Sequence, residues 1–463
     1  MFEPILSADE GAAVGVDLLA SGKWEAFAAR QAAPLRALAG AERFAGQAGR
    51  VLLVPGADGG VGRVLFGLGD GAAPGAMAIR GLAAGLPPGD YRINEPLDGL
   101  DPGQIALAWA LGAYRFDRYR QSRGDAAPRL AAPGGADMTE ARALAHACAL
   151  ARDMINTPAN DMGPRQIETI AREIAQAHQA AITVTAGDAL IDAGYPAVHA
   201  VGRAAVAERA PRMIEIAWGD ADHPLIALIG KGVVFDSGGL DIKPSAGMRL
   251  MKKDMGGAAH ALALARMIMA ARLPVRLVVL IPAVENAIAG DAMRPGDVLA
   301  SRSGLSIEVG NTDAEGRLIL ADALARAAEL SPALTIDLAT LTGAARVALG
   351  PQVVPFYTAD DALAAELAAA SQAVDDPLWR MPLWEGYVDA LASDIADIRN
   401  DPDAWAQAGS VTAALFLQRF APKGVWAHFD IFAWNPRPRP GWPQGAEVQA
   451  VRALYAVLKA RYP

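Results

Sequence analysis

The spacing of apolar residues divides the chain near residue 138. Before that point, short apolar runs at 51–54 and 64–68 flank a glycine-rich turn. Because another strand and not a helix follows the glycines, the pattern favours a β-hairpin over a phosphate-binding loop. Residues 104–120 carry an Ala- and Leu-rich helical pattern, whereas residues 121–137 show no periodicity. The aperiodic stretch is therefore the best linker candidate.

Beyond this linker candidate, predicted helices alternate with continuous apolar runs of strand length. The helices are expected at 138–155, 164–179, 257–272 and 318–330, and the strands at 182–184, 213–217, 225–229, 275–281, 305–309 and 334–338. Continuous apolar strands joined by helices predict a mostly parallel sheet covered by helices on both faces. Ligands of such sheets bind at the carboxyl ends of the strands.

The predicted fold class is α/β with two domains of unequal size, because 463 residues exceed what one hydrophobic core usually supports. We expect a smaller N-terminal α/β domain over residues 1–122 and a linker with a connecting helix over 123–155. Residues 156–463 are expected to form a larger C-terminal α/β domain, in which helices flank a mostly parallel central sheet.

Charge and cysteine content narrow the class of protein. The net charge of -9 argues against a general polyanion-binding role, so nucleic acid is an unlikely partner. The single cysteine, Cys148, excludes an internal disulfide and a cysteine-based metal cluster.

The first ten residues lack the pattern of a secretory signal, and the apolar run 275–284 is about half of the roughly 20 residues that a membrane span needs. We expect a cytoplasmic protein that does not bind membranes.

Charged residues interrupt two glycine-rich, apolar segments that follow predicted strands. In the segment 311–318, Asp313 and Glu315 are two positions apart, so an extended backbone would point both carboxylates to one side, where they could share a cation. Thr312 and Glu315 also have the spacing of a capping box before a helix. For this segment taken alone, capping is the favoured interpretation.

The segment 230–257 reverses that preference, because it adds Asp236 and Asp254 beside glycines that let the backbone approach a ligand. Four converging carboxylates could not all stay ionised without positive charge, since like charges raise one another's pKa. Two divalent cations would supply that charge, and oxygen ligands favour manganese, magnesium or zinc. The six histidines are scattered without ligand spacing, so we interpret them as packing or surface residues.

Three cationic residues lie among these carboxylates in the sequence, namely Lys231, Lys243 and Arg317. A neutral lysine amine can ligate a metal, and Lys243 and Arg317 could stabilise the oxyanion that forms when a carbonyl is attacked. The alternative for any one of them is a surface ion pair. We interpret Lys252 and Lys253 in that second way.

Together these motifs resemble the leucyl aminopeptidase (cytosol aminopeptidase) family of dinuclear metal-dependent exopeptidases. NTDAEGRL is unbroken at 311–318, and GKGVVFDSGG, DIKPSAGM, KDMGGAA, AMRPGDV and DLATLTGA stand in the family's order. The clear resemblance covers about residues 138–430. It implies a cytoplasmic, hexameric aminopeptidase whose larger domain is catalytic, and which hydrolyses the N-terminal residue from peptides with a metal-activated water.

The resemblance also implies a ligand set for two divalent metal ions, zinc or manganese. Lys231, Asp236, Asp254 and Glu315 would hold the tighter ion. Asp236, Asp313 and Glu315 would hold the more exchangeable ion, so Asp236 and Glu315 would bridge the two.

Catalytic roles are implied in the same way for Lys243 and Arg317. Lys243 corresponds to the lysine that polarises the scissile carbonyl. Arg317 corresponds to the arginine that holds a bicarbonate ion, which would act as general base. The free amino group of the substrate would bind a metal and Asp254, which explains removal of the first residue only.

Met251, Thr340 and Gly343 match positions that line the family's pocket for the first side chain. Family members usually have Asp-Ile-Ala-Gly where this chain has Asp-Ile-Phe-Ala, so bulky Phe432 stands where a small residue borders that pocket. The resemblance therefore implies no preference for leucine.

Two other functions fit part of the sequence. A dinuclear phosphoesterase would use similar paired carboxylates, but the identity of the motifs argues against it. Some family members also bind DNA through their N-terminal domains, and the net charge of -9 gives that role no support here.

Overall fold

The computed structural model describes residues 3–5, 13–70, 75–94, 99–121, 127–133, 136–402 and 407–463. The chain forms two compact units. The smaller unit comprises Met1–Ala149 with Asn435–Gln444, and the larger comprises Leu150–Trp434 with Gly445–Pro463. The expected linker over 123–155 lies partly outside the described residues, at 123–126 and 134–135.

The smaller unit is built on a five-stranded sheet of order β2-β3-β1-β4-β5. Its strands are β1 Val14–Ala20, β2 Val51–Pro55, β3 Val61–Gly69, β4 Asp90–Ile93 and β5 Arg129–Leu130. The β2 and β3 strands pair antiparallel across the glycine-rich turn, which confirms the predicted hairpin. The other neighbouring strands pair parallel.

The α-helices that lie wholly in the described part of this unit are α1 Trp24–Ala28, α2 Ala33–Ala41, α3 Ile79–Gly85 and α4 Pro102–Ala113. The Asp101 carboxylate caps α4 by accepting a hydrogen bond from the Gln104 backbone N–H at 2.8 Å, and Pro102 is the first helical residue. Every residue from Ile105 to Ala113 is buried. The helix ends at Ala113, earlier than the pattern to residue 120 predicts.

The strands of the larger unit form three sheets. They are β6 Ala181–Ala186, β7 Arg212–Trp218, β8 Leu225–Gly230, β9 Gly232–Asp236, β10 Arg276–Asn286, β11 Val298–Ala300, β12 Ser306–Glu308, β13 Leu334–Ala339, β14 Val354–Tyr357, β15 Leu378–Arg380, β16 Ile398–Arg399, β17 Val425–Asp430, β18 Trp434–Asn435 and β19 Gly445–Ala446. The central sheet has the order β15-β14-β17-β13-β8-β10-β7-β6, and β9 pairs with the end of β10. The other two sheets are β11-β12-β16 and the short pair β18-β19.

The core of the central sheet is parallel, as its continuous apolar strands predict. The strands β8, β9, β10, β13 and β17 pair parallel with one another. The strands β6 and β7 on one side, and β14 on the other, pair antiparallel with their neighbours towards the core. The α/β fold class is therefore confirmed.

The described helices that begin after residue 138 are α5 Thr139–Asn156, α6 Pro164–Ala177, α7 Ala189–Asp192, α8 Pro196–Gly202, α9 Ser245–Met248, α10 Gly256–Ala271, α11 Glu315–Leu330, α12 Gly343–Leu349, α13 Asp361–Ala373, α14 Gly409–Gln418 and α15 Val451–Arg461. The α10 and α11 helices are buried along nearly their whole length and pack against β8, β10 and β13. None of the helices in the described residues has both the length and the hydropathy that crossing a membrane needs.

The parallel strands end in polar residues. The β9 strand ends at Asp236, β10 ends at Asn286 and β17 ends at Asp430, while Thr340 directly follows β13. All four residues are buried. Because the carboxyl ends of parallel strands meet at one edge of a sheet, these polar groups gather there.

Candidate active site

The candidate site begins at Asp236, where β9 ends. The chain then turns sharply through Gly238 and Gly239, whose φ angles of +89° and +65° lie in the left-handed region that favours glycine. A Cβ atom on Gly238 would lie 2.5 Å from the carbonyl oxygen of Asp241, so a side chain does not fit there. The turn returns Lys243 to Asp236, with 2.7 Å between Lys243 Nζ and Asp236 Oδ2.

The segment 311–318 reaches the same place at the start of α11. Its backbone turns before the helix and is not extended, so the extended geometry expected for Asp313 is wrong. Glu315 is the first helical residue. The Lys231 side chain packs closely against this helix at Gly316. A Cβ atom on Gly316 would lie only 2.5 Å from Lys231 Cε.

Thr312 does not cap α11, so the capping-box interpretation is wrong. The N-cap residue is Ala314, and its side chain makes no capping hydrogen bond. Thr312 Oγ1 instead donates to the Gly238 carbonyl oxygen at 2.6 Å and accepts from the Asp241 backbone N–H at 2.9 Å. Thr312 therefore fastens the start of α11 to the turn after β9.

Four acidic side chains converge at this point, and we call Asp236, Asp254, Asp313 and Glu315 the carboxylate cluster. One oxygen atom from each of Asp236, Asp313 and Glu315 lies within 4.8 Å of the other two. Lys231 Nζ joins the fourth carboxylate to them, at 2.7 Å from Asp254 Oδ2 and 2.9 Å from Glu315 Oε1. The structure thus brings together all five residues for which the resemblance implies metal ligation.

The second lysine of the cluster is Lys243, which also pairs with Asp313. No histidine among the described residues joins this group of carboxylates. The buried His260 and His428 instead bond within the core, to the Gly256 carbonyl oxygen and to the Asp337 carboxylate. The packing interpretation of these two histidines is consistent with those contacts.

The pKa values show that negative charge is in excess in the cluster. Burial raises the pKa of the Glu315 carboxyl to about 8 and that of Asp313 to about 6, and the Asp236 carboxylate adds to both shifts. Burial alone would lower the pKa of Lys231. The carboxylates of Asp254, Glu315 and Asp236 outweigh burial and raise that pKa above its ordinary value. Two lysines therefore do not neutralise four carboxylates.

Unsatisfied oxygen atoms show that these residues fit metal ions. Glu315 Oε2 is buried and has no hydrogen-bond partner among the described residues. Asp254 Oδ2 and Asp313 Oδ1 each touch a lysine nitrogen, yet no hydrogen bond of good geometry reaches either atom. Buried carboxylate oxygens without donors are costly unless a cation satisfies them.

Two asparagines that the sequence analysis missed hold the cluster in place. Asn286 Nδ2 donates to Asp236 Oδ1 at 2.9 Å and to the Thr312 carbonyl oxygen at 3.1 Å. Asn400 Oδ1 accepts from the backbone N–H groups of Gly310 and Asn311, and its Nδ2 donates to two carbonyl oxygens of the same turn. Both asparagines are buried. They lie far from the motifs in sequence and carried no local signal.

Arg317 is a buried cation without an ion pair in the part of the chain that the structure describes. Its Nη1 donates to the Asn400 carbonyl oxygen at 2.6 Å, and its Nε has no hydrogen-bond partner there. The side chain lines the cavity beside the cluster. A guanidinium with a free donor that faces a cavity can bind a small anion.

The cluster opens into a cavity of about 690 Å³. The residues for which the resemblance implies contact with the first side chain, Met251, Thr340, Gly343 and Phe432, all line it. Thr340 also touches the cluster, because its hydroxyl donates to Asp254 Oδ1 at 2.7 Å and its carbonyl oxygen accepts from Lys231 Nζ at 3.1 Å. The cavity therefore joins the cluster to the predicted side-chain pocket.

Phe432 contacts two cationic side chains, and we call Lys253, Arg346 and Phe432 the cationic wall. Lys253 Nζ and Arg346 Cζ each lie 5.2 Å from the centroid of the Phe432 ring. Lys253 is only 6% exposed, and burial lowers its pKa. The expectation that Lys253 is a surface residue is therefore wrong. The basic pair Lys252–Lys253 gave no sign that only the second residue faces the cavity.

Asp430 and Gln449 accept hydrogen bonds that order this side of the cavity. The Asp430 carboxylate accepts from the backbone N–H groups of Leu341 and Thr342 and from the Thr342 hydroxyl. Gln449 Oε1 accepts from the backbone N–H groups of Phe432 and Ala433. These contacts hold the segment that follows β13 and the backbone of Phe432.

Comparison with known proteins places this site in a family. The family described as "Cytosol aminopeptidase family, catalytic domain" matches residues 149–455, and "M17 aminopeptidase, N-terminal domain" matches residues 14–133. A relative named "Probable cytosol aminopeptidase" from Roseiflexus castenholzii is 44% identical over 366 residues, which cover 75% of this chain and 74% of the relative.

Solved structures are similar over nearly the whole chain. The cytosol aminopeptidase from Coxiella burnetii superposes with a TM-score of 0.93 at 43% identity and covers 99% of both chains. The bottromycin maturation enzyme BotP, solved in complex with Mn, gives a TM-score of 0.87 at 34% identity over 98% of this chain and 100% of its own. The chain belongs to the cytosol aminopeptidase family, with the N-terminal and catalytic domains of that family, and it is a metalloaminopeptidase.

Proposed function

We propose that the chain hydrolyses the first peptide bond of its substrates at a site for two divalent metal ions, manganese or zinc. The observation that carries this proposal is the buried Glu315 Oε2, which has no hydrogen-bond partner in the described part of the chain and lies in a cluster with more carboxylates than lysines. Metal ions would supply the missing positive charge. Because the similar enzyme BotP was solved with Mn, manganese is the first ion to test.

Five residues would hold the ions. Lys231, Asp236, Asp254 and Glu315 would bind one ion, and Asp236, Asp313 and Glu315 the other. Divalent ions bound there would polarise the scissile carbonyl and lower the pKa of a water molecule. Lys231 would have to release its proton to ligate, so metal binding would be weaker at acidic pH.

Asp254 would recognise the free amino group of the substrate. Thr340 Oγ1 holds Asp254 Oδ1 at 2.7 Å, which orients the carboxylate towards the cavity. An amino group donates readily to such an oxygen, whereas the amide nitrogen of an internal residue carries no positive charge. Hydrolysis would therefore be confined to the first residue.

Lys243 would stabilise the negative charge that develops on the carbonyl oxygen. Its ammonium lies at the edge of the cluster and lines the cavity, so a hydrogen bond to that oxygen can strengthen as the charge grows. Arg317 would bind bicarbonate through its free Nε–H. Both groups would act where the substrate carbonyl meets the metal ions.

Two substitutions test these roles. Asp236→Ala should abolish both manganese binding, measured by calorimetry, and hydrolysis of leucine amide, because Asp236 would be shared by both ions. Lys243→Ala should keep manganese binding and reduce kcat by about 100-fold or more, in the range found for loss of one oxyanion donor. Wild-type activity in the Asp236→Ala variant would show that the proposed metal centre is wrong.

Two further expectations rest on the resemblance. We propose that the chain assembles into a homohexamer, which sedimentation velocity would measure. We also propose a cytoplasmic location, in keeping with the names of its cytosol aminopeptidase relatives.

A further inference from the structure

Besides Arg317, two cations of the cavity lack the close carboxylate contacts that Lys231 and Lys243 have in the described residues. Lys231 and Lys243 each contact two carboxylates. Lys253 Nζ lies 3.9 Å from Asp254 Oδ1, which is beyond hydrogen-bond distance. Arg346 forms no ion pair with any residue that the structure describes, although it lines the same cavity.

The Asp254 carboxylate is shared with two other groups and cannot fully compensate Lys253. Its Oδ1 accepts from the Thr340 hydroxyl at 2.7 Å, and its Oδ2 contacts Lys231 Nζ at 2.7 Å. Lys253 is nevertheless buried, with 6% of its surface exposed. Burying an ammonium without a close anion is costly, so a ligand that brings a negative charge would be favoured at this position.

Phe432 holds the two cations on the same side of the cavity. Both lie 5.2 Å from the centroid of its ring, where the electrons of the aromatic face attract positive charge. The ring itself offers no anion to separate them. A carboxylate that enters the cavity beside the ring would be attracted by both cations.

We propose that the cationic wall, Lys253, Arg346 and Phe432, makes the enzyme select peptides whose first residue is glutamate or aspartate. This inference rests on the proposed function, because it takes Asp254 as the group that binds the free amino group. Lys253 and Asp254 are adjacent and both line the cavity. An acidic residue carries its amino group and its side-chain carboxylate on the same short segment, so it can meet Asp254 and Lys253 together.

Leucine would bind less well at this wall than glutamate. Its side chain would bury Lys253 further without supplying an anion. Glutamine has nearly the shape of glutamate but no charge, so the ratio of kcat/KM for glutamyl and glutaminyl p-nitroanilides isolates the charge. We expect the manganese-loaded enzyme to favour the glutamyl substrate by at least about 10-fold.

The variants Lys253→Met and Arg346→Gln test which cations produce this preference. Lys253→Met should remove most of the glutamyl-to-glutaminyl ratio, and Arg346→Gln should reduce it by a smaller factor, because Arg346 is exposed and competes with water. The matched control is Lys252→Met. Lys252 is the neighbouring lysine, but it donates to the Asn156 carbonyl oxygen, contacts the Trp434 ring and does not line the cavity. The control should keep the wild-type ratio.

The result distinguishes this inference from the proposed function. A wild-type ratio near one, or a ratio that both variants leave unchanged, would overturn the acidic preference while hydrolysis of leucine p-nitroanilide still supports an aminopeptidase. If the enzyme hydrolyses none of the three substrates, the glutamyl, glutaminyl and leucine p-nitroanilides, both the proposed function and the inference are overturned. Since Arg346 is exposed, its variant should fold even if the buried Lys253 variant does not, and thermal melts followed by circular dichroism check both.

Discussion

The carboxylate cluster and the cationic wall border one cavity, and their charges are opposite. In the cluster, four carboxylates contact two lysines and leave the buried Glu315 Oε2 without a partner. In the wall, two cations contact one aromatic ring, and neither has a carboxylate within hydrogen-bond distance among the described residues. Each region lacks the counter-charge that a ligand would bring. In our proposals, the cavity would bind metal ions at the cluster and an acidic side chain at the wall.

The two regions are also held differently. Asn286 donates directly to the Asp236 carboxylate of the cluster, and Asn400 accepts from backbone N–H groups of the turn before α11. The wall depends on Gln449, whose side chain accepts from the Phe432 and Ala433 N–H groups. Substitutions at Asn286 should therefore change metal binding, and substitutions near Gln449 should change the wall.

The largest expected effect comes from Asn286→Ala, which removes the hydrogen bond to Asp236 Oδ1. Partners that orient a metal ligand typically contribute a factor of about 10–100 to metal affinity, and we expect a loss of that size for manganese. Isothermal calorimetry measures it. The glutamyl-to-glutaminyl ratio should stay unchanged, because Asn286 does not touch the cationic wall.

The matched control is Asn160→Ala, since Asn160 is exposed and, within the described residues, its side chain donates to its neighbour Asp161. It should bind manganese like the wild type. Equal manganese affinity in the Asn286→Ala variant would mean that Asp236 needs no orienting partner, and the contrast between the two regions would lose its basis.

A smaller effect is expected for the pH dependence of stability, through His260. Its Nδ1 donates to the Gly256 carbonyl oxygen, and its Nε2 accepts from the Gln449 backbone N–H at 3.0 Å, so the buried ring is neutral. Burial lowers the pKa of His260 from 6.5 to about 4. In the unfolded chain the imidazole keeps its ordinary pKa, so the unfolded state takes up a proton first as the pH falls.

The stabilisation is therefore complete above pH 6.5 and is lost as the pH falls towards 4. From pH 7 to pH 5, the free energy of unfolding should fall by about 2 kcal/mol through this group. Urea unfolding of the metal-free wild type and of His260→Gln at both values measures it, because the other titrations cancel in the difference. Parallel pH dependence in the two proteins would contradict a neutral, buried His260.

The smallest effect is expected for Phe432→Ala, which removes the aromatic ring of the cationic wall and so enlarges the cavity. The ratio of kcat/KM for leucine amide over alanine amide should rise by about 10-fold, as for a pocket that gains room for extra methylene groups. Manganese affinity should remain that of the wild type, because Phe432 contacts no residue of the cluster in the described contacts. An unchanged ratio would show that Phe432 does not limit the first side chain.

The sequence predicted the fold well where the signal is local. Continuous apolar runs identified the parallel strands β8, β10 and β13 but not β9 and β17. The helices α10 and α11 lie within a few residues of their predicted ranges. Local spacing was less informative at the site. The segment around Asp313 is a turn and not an extended strand, and Thr312 bonds across to Gly238 instead of capping its own helix. Thr312 is drawn away by a distant segment, the turn after β9. The Asp313 backbone N–H instead donates locally to Asn311 Oδ1 at 2.8 Å, within the turn.

The sequence by itself determined the family, the α/β class and the residue types that could hold metal ions, because these follow from motifs and periodicity along the chain. Only the tertiary structure decided which charges compensate one another. Lys252 and Lys253 are adjacent and chemically identical, yet Lys252 reaches a carbonyl oxygen and Lys253 lines the cavity beside Phe432. Compensation depends on distances between side chains that are far apart in sequence, and local spacing does not encode those distances.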